Sequence, residues 1–166
     1  MPATWKSVRP SKKTSAVLAT PLLTLAAVAA TATPAAAAPT TRCSAYQYQS
    51  APVVTNVAMK TCVVKNGNSR YAYVLVEQAS AYSGSTWDLF KVHARLEKSD
   101  ANKATKWCDF TDTMNRHQNP RVTCQTATVT SSSTGGWTSD AVVVFNFNLD
   151  GKGDKSRALT GSPSVS

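Results

Sequence analysis

The chain has 166 residues, carries 18 Lys and Arg against 9 Asp and Glu for a net charge of +9, and is 42% hydrophobic. That length suits one domain with one core and excludes two full-sized domains. The charge does not gather into a nucleic-acid stripe. Over 91–121, the bases Lys91, Arg95, Lys98, Lys103, Lys106, Arg116 and Arg121 alternate with Glu97, Asp100, Asp109 and Asp112, so nucleic acid is not an expected partner.

The first elements read as an export signal. Lys6, Arg9, Lys12 and Lys13 form a positive start, an apolar stretch runs over 16–30, and small residues fill 35–38. Thr20, Pro21 and Thr24 interrupt the apolar stretch, which falls short of the roughly 20 residues that span a bilayer. Cleavage is expected at the Ala37–Ala38 bond, because a cut one residue later would leave Pro39 first. The domain expectation is a leader over 1–37 and a single exported β-domain over 38–166. Losing 37 residues with four bases and no acids leaves 129 residues and a net charge of +5. In composition, the Ala-rich leader resembles those of exported proteins of high-GC actinobacteria. No later segment anchors the chain in a membrane, and the expected location is extracellular.

An oxidising compartment makes the four cysteines, Cys43, Cys62, Cys108 and Cys124, candidates for disulfides. Spacing favours Cys43–Cys62 and Cys108–Cys124, each pinning a hairpin and each worth roughly 3 kcal/mol through loop closure. The alternative is Cys62–Cys124 across two sheets with Trp87 between. It resembles the Cys…Trp…Cys pattern of immunoglobulin domains, but Trp87 lies too far from Cys62, and Val122 stands where that pattern has Tyr.

Beyond Pro39 the pattern is mostly strand. Residues 45–49 alternate, 53–64 are rich in Val and Thr, and Asn66-Gly67 marks a hairpin leading into 71–76. A Gly-Ser turn covers 82–85. Over 87–96, Phe90, Val92, Ala94 and Leu96 share one face, while Lys91, His93 and Arg95 share the other, as in a half-buried antiparallel strand. Residues 98–105 are polar and tolerant of a helical turn. Residues 106–111 and 121–130 read as a hairpin with its loop over 114–120. Residues 140–149 alternate again, and a last strand falls within 158–165. About eight short strands with little helix predict an antiparallel β-sandwich, immunoglobulin-like or related, with a small β-barrel as the alternative.

No nucleophile elbow, S-x-x-K motif or phosphate loop is present. The Cys and His residues lack metal-ligand spacing, so neither a metal nor a cofactor is expected. Residues 146–151 match half a calcium loop, but its last position falls on Arg157 where a bidentate Glu is required. His93 and His117 are candidates for general acid–base cleavage of RNA. The plainer reading is favoured, because strand alternation already accounts for His93 and loop polarity for His117.

The aromatic residues are the stronger lead. Tyr82 and Trp87 flank the Gly-Ser turn, and Trp137 follows Thr134-Gly135-Gly136, so all three are candidate ligand-binding residues near loop tips, where flat rings stack on sugars; the favoured alternative is that each Trp covers an end of the sandwich core or packs on a disulfide. Trp107 sits beside Cys108 on a hairpin. The expectation is a monomeric, non-catalytic binding or interaction module for a wall glycan, a polysaccharide or a secreted protein. Alternatives are an inhibitor of an exported hydrolase acting through a hairpin tip at 66–70, or a small hydrolase or ribonuclease. Ser69-Arg70-Tyr71 partly resembles the Trp-Arg-Tyr of the microbial α-amylase inhibitors, with Ser in place of Trp. The chain is longer than those inhibitors, and Arg70 lies outside both expected disulfide loops.

Overall fold

A computed structural model describes residues 38–50, 56–79, 87–148 and 151–166. Within them lie ten strands and one short helix: β1 (Thr40–Cys43), β2 (Gln47–Ser50), β3 (Asn56–Asn66), β4 (Ser69–Ala79), β5 (Trp87–Lys98), β6 (Ala101–Asp109), α1 (Thr111–Arg116), β7 (Arg121–Gln125), β8 (Val129–Thr130), β9 (Trp137–Phe147) and β10 (Lys155–Leu159). All pairings between these strands are antiparallel, and they make two sheets. One sheet has the order β1-β3-β4-β7, with β2 beside β1 on the flank of β3 and β8 beside β7 on the flank of β4. The other has the order β10-β9-β5-β6. The expected antiparallel sandwich is the architecture observed.

Period-two patterning places the core between the sheets. Val57 and Met59 of β3, Val74 and Val76 of β4, Phe90, Val92 and Ala94 of β5, and Ala141, Val143, Phe145 and Phe147 of β9 form the main cluster. A smaller cluster of Val63, Ala72, Leu96, Trp137 and Val165 fills the other end. Gly67 supplies the left-handed φ of 55° that opens the β3–β4 hairpin turn.

The disulfides pair as spacing favours, but neither pins a simple hairpin. Cys43 and Cys62 face each other across β1 and β3, with β2 between those strands in sequence. Cys108–Cys124 joins β6 of one sheet to β7 of the other, so it closes an edge of the sandwich. The opposite edge is closed by hydrogen bonds. Arg157 Nη1 donates to the Tyr48 carbonyl (2.7 Å), and the Thr160 amide and carbonyl engage Gln47 (2.8 and 3.3 Å).

Two local expectations are overturned. Residues 101–105, expected to tolerate a helical turn, are the first half of strand β6, reached from β5 through a two-residue turn in which Ser99 and Asp100 both have positive φ (49° and 63°), while the strand expected from residue 106 is its second half. Such a turn usually carries Gly or Asn, so its signal was missing. The helix lies instead over Thr111–Arg116, where a loop was expected. Asp109 starts it by accepting from the Thr111 amide (3.0 Å) and hydroxyl (2.7 Å). Asn115 fixes it to β5 through two bonds with the Trp87 backbone (2.7 and 2.9 Å). Among the described residues, no helix is long and apolar enough to cross a membrane.

Candidate functional site

Strand order brings together a row of side chains on the outer face of the β10-β9-β5-β6 sheet. Ala158 pairs with Val142, Val142 with His93, and His93 with Trp107, one residue from each strand. The row spans three strand spacings, about 14 Å. Parallel rows flank it: Ser156, Val144, Lys91 and Asp109 on one side, and Asp140, Arg95 and Thr105 on the other. An aromatic and aliphatic track thus crosses the sheet between charged borders.

Trp107 is the exposed tryptophan of the described residues, at 52%. Its ring stacks face to face on the His93 imidazole, with centroids 4.4 Å apart and planes 3° apart. The stack fixes the indole while leaving half of its surface in solvent. Burial, and then the nearby Arg95 guanidinium, lower the His93 pKa below its ordinary 6.5. The imidazole is therefore neutral at pH 7, and the stack is an uncharged platform.

Trp107, Lys91, Cys108 and Asp109 line a recess of about 430 Å³ beside the platform. Lys91 lies 3.5 Å from Asp109. Bonds from Thr111, with Lys91 adding its charge, hold the Asp109 carboxyl below its ordinary range of 3.8. The result is an aromatic floor with an oriented carboxylate and an ammonium at its rim, which suits recognition of hydroxyl-rich, flat-faced molecules.

On the other flank Arg95 approaches Glu97 (3.2 Å) and Asp140 (3.7 Å). Burial comes first, and a hydrogen bond and charge from Asp140 follow, in pushing the Glu97 carboxyl above its ordinary 4.5. Arg95 opposes this shift. The Glu97–Asp140 pair joins β5 to β9 and was invisible in sequence, because 43 positions separate the two residues.

The expected ligand-binding residues lie elsewhere. Trp87 and Trp137, candidates because they lie near loop tips, are 4% and 2% exposed and cover the ends of the core, the packing role that is usual for tryptophan in a small β-domain. The Trp87 indole packs 4.0 Å from Phe147 and 4.8 Å from Phe90, and its N–H donates to Gln78 Oε1 (3.1 Å). The Trp137 N–H donates to the Ser133 carbonyl (3.1 Å). Buried in this way, neither offers a stacking face to a ligand. Tyr82 lies outside the described residues.

Arg70, proposed for the hairpin tip, turns inward and is 1% exposed, leaving Asn66, Gly67 and Asn68 outside. His117 sits beyond α1 in a recess with Thr113, Asn119 and Arg121, on a different element from His93. Among the described residues, no group of three or more His, Cys, Asp or Glu side chains is placed to hold a metal ion. The half calcium loop is partly outside the described residues; Asn146 donates to Asp154 (3.1 Å).

No family model, curated protein or solved structure matches this chain. Two features describe its class: an antiparallel sandwich held by two disulfides, and an outer sheet face bearing one exposed aromatic stack.

Proposed function

We propose that the protein is an exported, non-catalytic binding module that takes a wall glycan or polysaccharide along the Ala158–Val142–His93–Trp107 row. The observation that carries this reading is the Trp107–His93 stack, a large aromatic surface held rigid yet half exposed. An exposed tryptophan of this kind costs apolar hydration without adding to the core, which a ligand-stacking role explains. The rim charges of Lys91 and Asp109 supply directional hydrogen bonding to hydroxyl groups. Export is supported by the leader pattern and by the two disulfides.

The test is co-sedimentation of the oxidised protein with insoluble wall polysaccharide, together with quenching of tryptophan fluorescence by soluble fragments. Trp107→Ala should weaken binding about tenfold or more, the equivalent of about 1.4 kcal/mol, with the fold retained by near-UV circular dichroism. Binding unchanged in Trp107→Ala, or no binding by the wild type to any polysaccharide offered, rejects the reading. Mass spectrometry of the natural product should give a chain starting near Ala38 with no alkylatable thiol.

A further inference from the structure

We infer that the recess at the Trp137 end of the sandwich is a binding site for a tetrahedral oxyanion of the phosphate or sulfate class, with Arg70 and Lys65 as its cations. This site is a surface recess at that end of the sandwich and does not rest on the glycan reading of the outer face.

Arg70 is a buried charge without a counter-ion. It projects inward from β4 and is 1% exposed. Nη1 donates to the carbonyls of Gly67 (2.7 Å) and Ser69 (3.2 Å), and the guanidinium carbon lies 5.8 Å from the Trp137 ring centroid. Among the described residues its Nε–H has no hydrogen-bond partner. The ion pairs among the described residues use Lys91, Arg95, Arg116 and Arg121, and Arg70 is in none of them. A guanidinium cannot shed its proton to escape burial, so an unpaired one is a standing electrostatic cost.

The space beside it is arranged to relieve that cost. A recess of about 270 Å³ is lined by Arg70, Lys65, Asn68, Thr40, Ser132 and Thr134. Lys65, which donates to the main-chain oxygen of Ser166, brings a second ammonium. Lys98 adds positive potential nearby, with its Nζ on the Thr134 and Gly135 carbonyls (3.2 and 3.1 Å) and 5.3 Å from the Trp137 ring centroid. Among the described residues, no Asp or Glu side chain lines the recess, although the Lys65 ammonium is already engaged by the main-chain oxygen of Ser166.

An oxyanion seated there would be attracted by the charge of a guanidinium already oriented by two carbonyls and an indole face, whose buried Nε it does not reach. The hydroxyl, amide and ammonium donors round the recess outnumber the lone-pair sites of a single carboxylate, which favours a tetrahedral group. The same phosphate chemistry can arrive as a free ion or as a monoester on a larger molecule.

The experiment is thermal melting and titration calorimetry of the intact oxidised protein in chloride buffer at constant ionic strength. Inorganic phosphate, inorganic sulfate, acetate and glycerol 1-phosphate are added in separate arms. Phosphate and sulfate should raise the melting temperature saturably, and acetate should raise it far less. Glycerol 1-phosphate binding at least as tightly as phosphate assigns the site to an ester; binding more than tenfold weaker assigns it to the free ion. Lys65→Gln should weaken phosphate about tenfold, and Arg70→Lys should abolish saturation. Lys65→Gln with Ser132→Ala provides a near-surface variant should Arg70→Lys fail to fold.

The inference is overturned if the wild type shows no saturable response. It is also overturned if folded Lys65→Gln responds as the wild type does, or if acetate matches phosphate.

Discussion

The two ends of the sandwich are each built round a tryptophan, and they differ in what surrounds it. At the α1 end, Trp87 is packed by Phe90, Phe145 and Phe147, its N–H satisfied by Gln78, with the Cys108–Cys124 disulfide in the same cluster. At the other end, Trp137 has Arg70 and Lys98 near its ring and a polar recess beyond. One end is a closed apolar plug, where burial does the stabilising. The other keeps charge inside the fold, which costs stability and so invites a ligand.

The largest test of this contrast is Trp87→Ala, which should destabilise by about 3–5 kcal/mol in urea unfolding, as truncation of a fully packed aromatic does. Removing Cys108–Cys124 by replacing both cysteines with Ala should cost about 3 kcal/mol, since it frees a loop and unties two sheets. Arg70→Met should change stability by no more than about 1 kcal/mol in oxyanion-free buffer. The lost carbonyl contacts are offset there by removal of an unpaired buried charge. A loss as large as that of Trp87→Ala would make Arg70 a structural clasp and erase the difference between the ends.

The smallest effects are in pH dependence, and the ends should show opposite signs. Asp109, at the α1 end, has its pKa held below 3.8 by Thr111 and Lys91. Its contribution is therefore present above pH 3.8 and lost as pH falls through the folded value. Glu97, which pairs with Thr138 beside Trp137, has its pKa raised above 4.5. The folded chain keeps a proton there that the unfolded chain has released. That contribution is full below pH 4.5 and lost as pH rises through the folded value. Urea midpoints measured against pH should flatten on the acid side in Asp109→Asn and above pH 4.5 in Glu97→Gln. The same flattening from both variants would mean that the ends are not electrically distinct.

Legibility in the sequence followed the range of the interactions. Phe90, Val92, Ala94 and Leu96 were readable as an inner face because alternation is a property of neighbours in the chain. Only the second half of β6 was readable as strand, because an exposed edge strand needs few apolar side chains and the turn before it used Ser99 and Asp100 without a glycine. The short helix was missed because Asp109 and Asn115 hold it through bonds to Thr111 and Trp87, and no apolar period marks it. Turn residues near Trp87 and Trp137 left a stacking role open, but each begins a strand whose first side chain points inward, which gives the core role that tryptophan usually takes.

Strand propensity, the all-β class and the favoured cysteine partners were therefore set by short-range pattern, because turn chemistry, period two and loop length all act over a few to about twenty residues. Which side chains share a surface was decided by tertiary structure alone. His93 meets Trp107, Glu97 meets Asp140, and Arg70 meets Trp137 only because β9 lies beside β5 and the two sheets close on each other. Strand order arises from packing summed over the whole core, which no local stretch of sequence encodes.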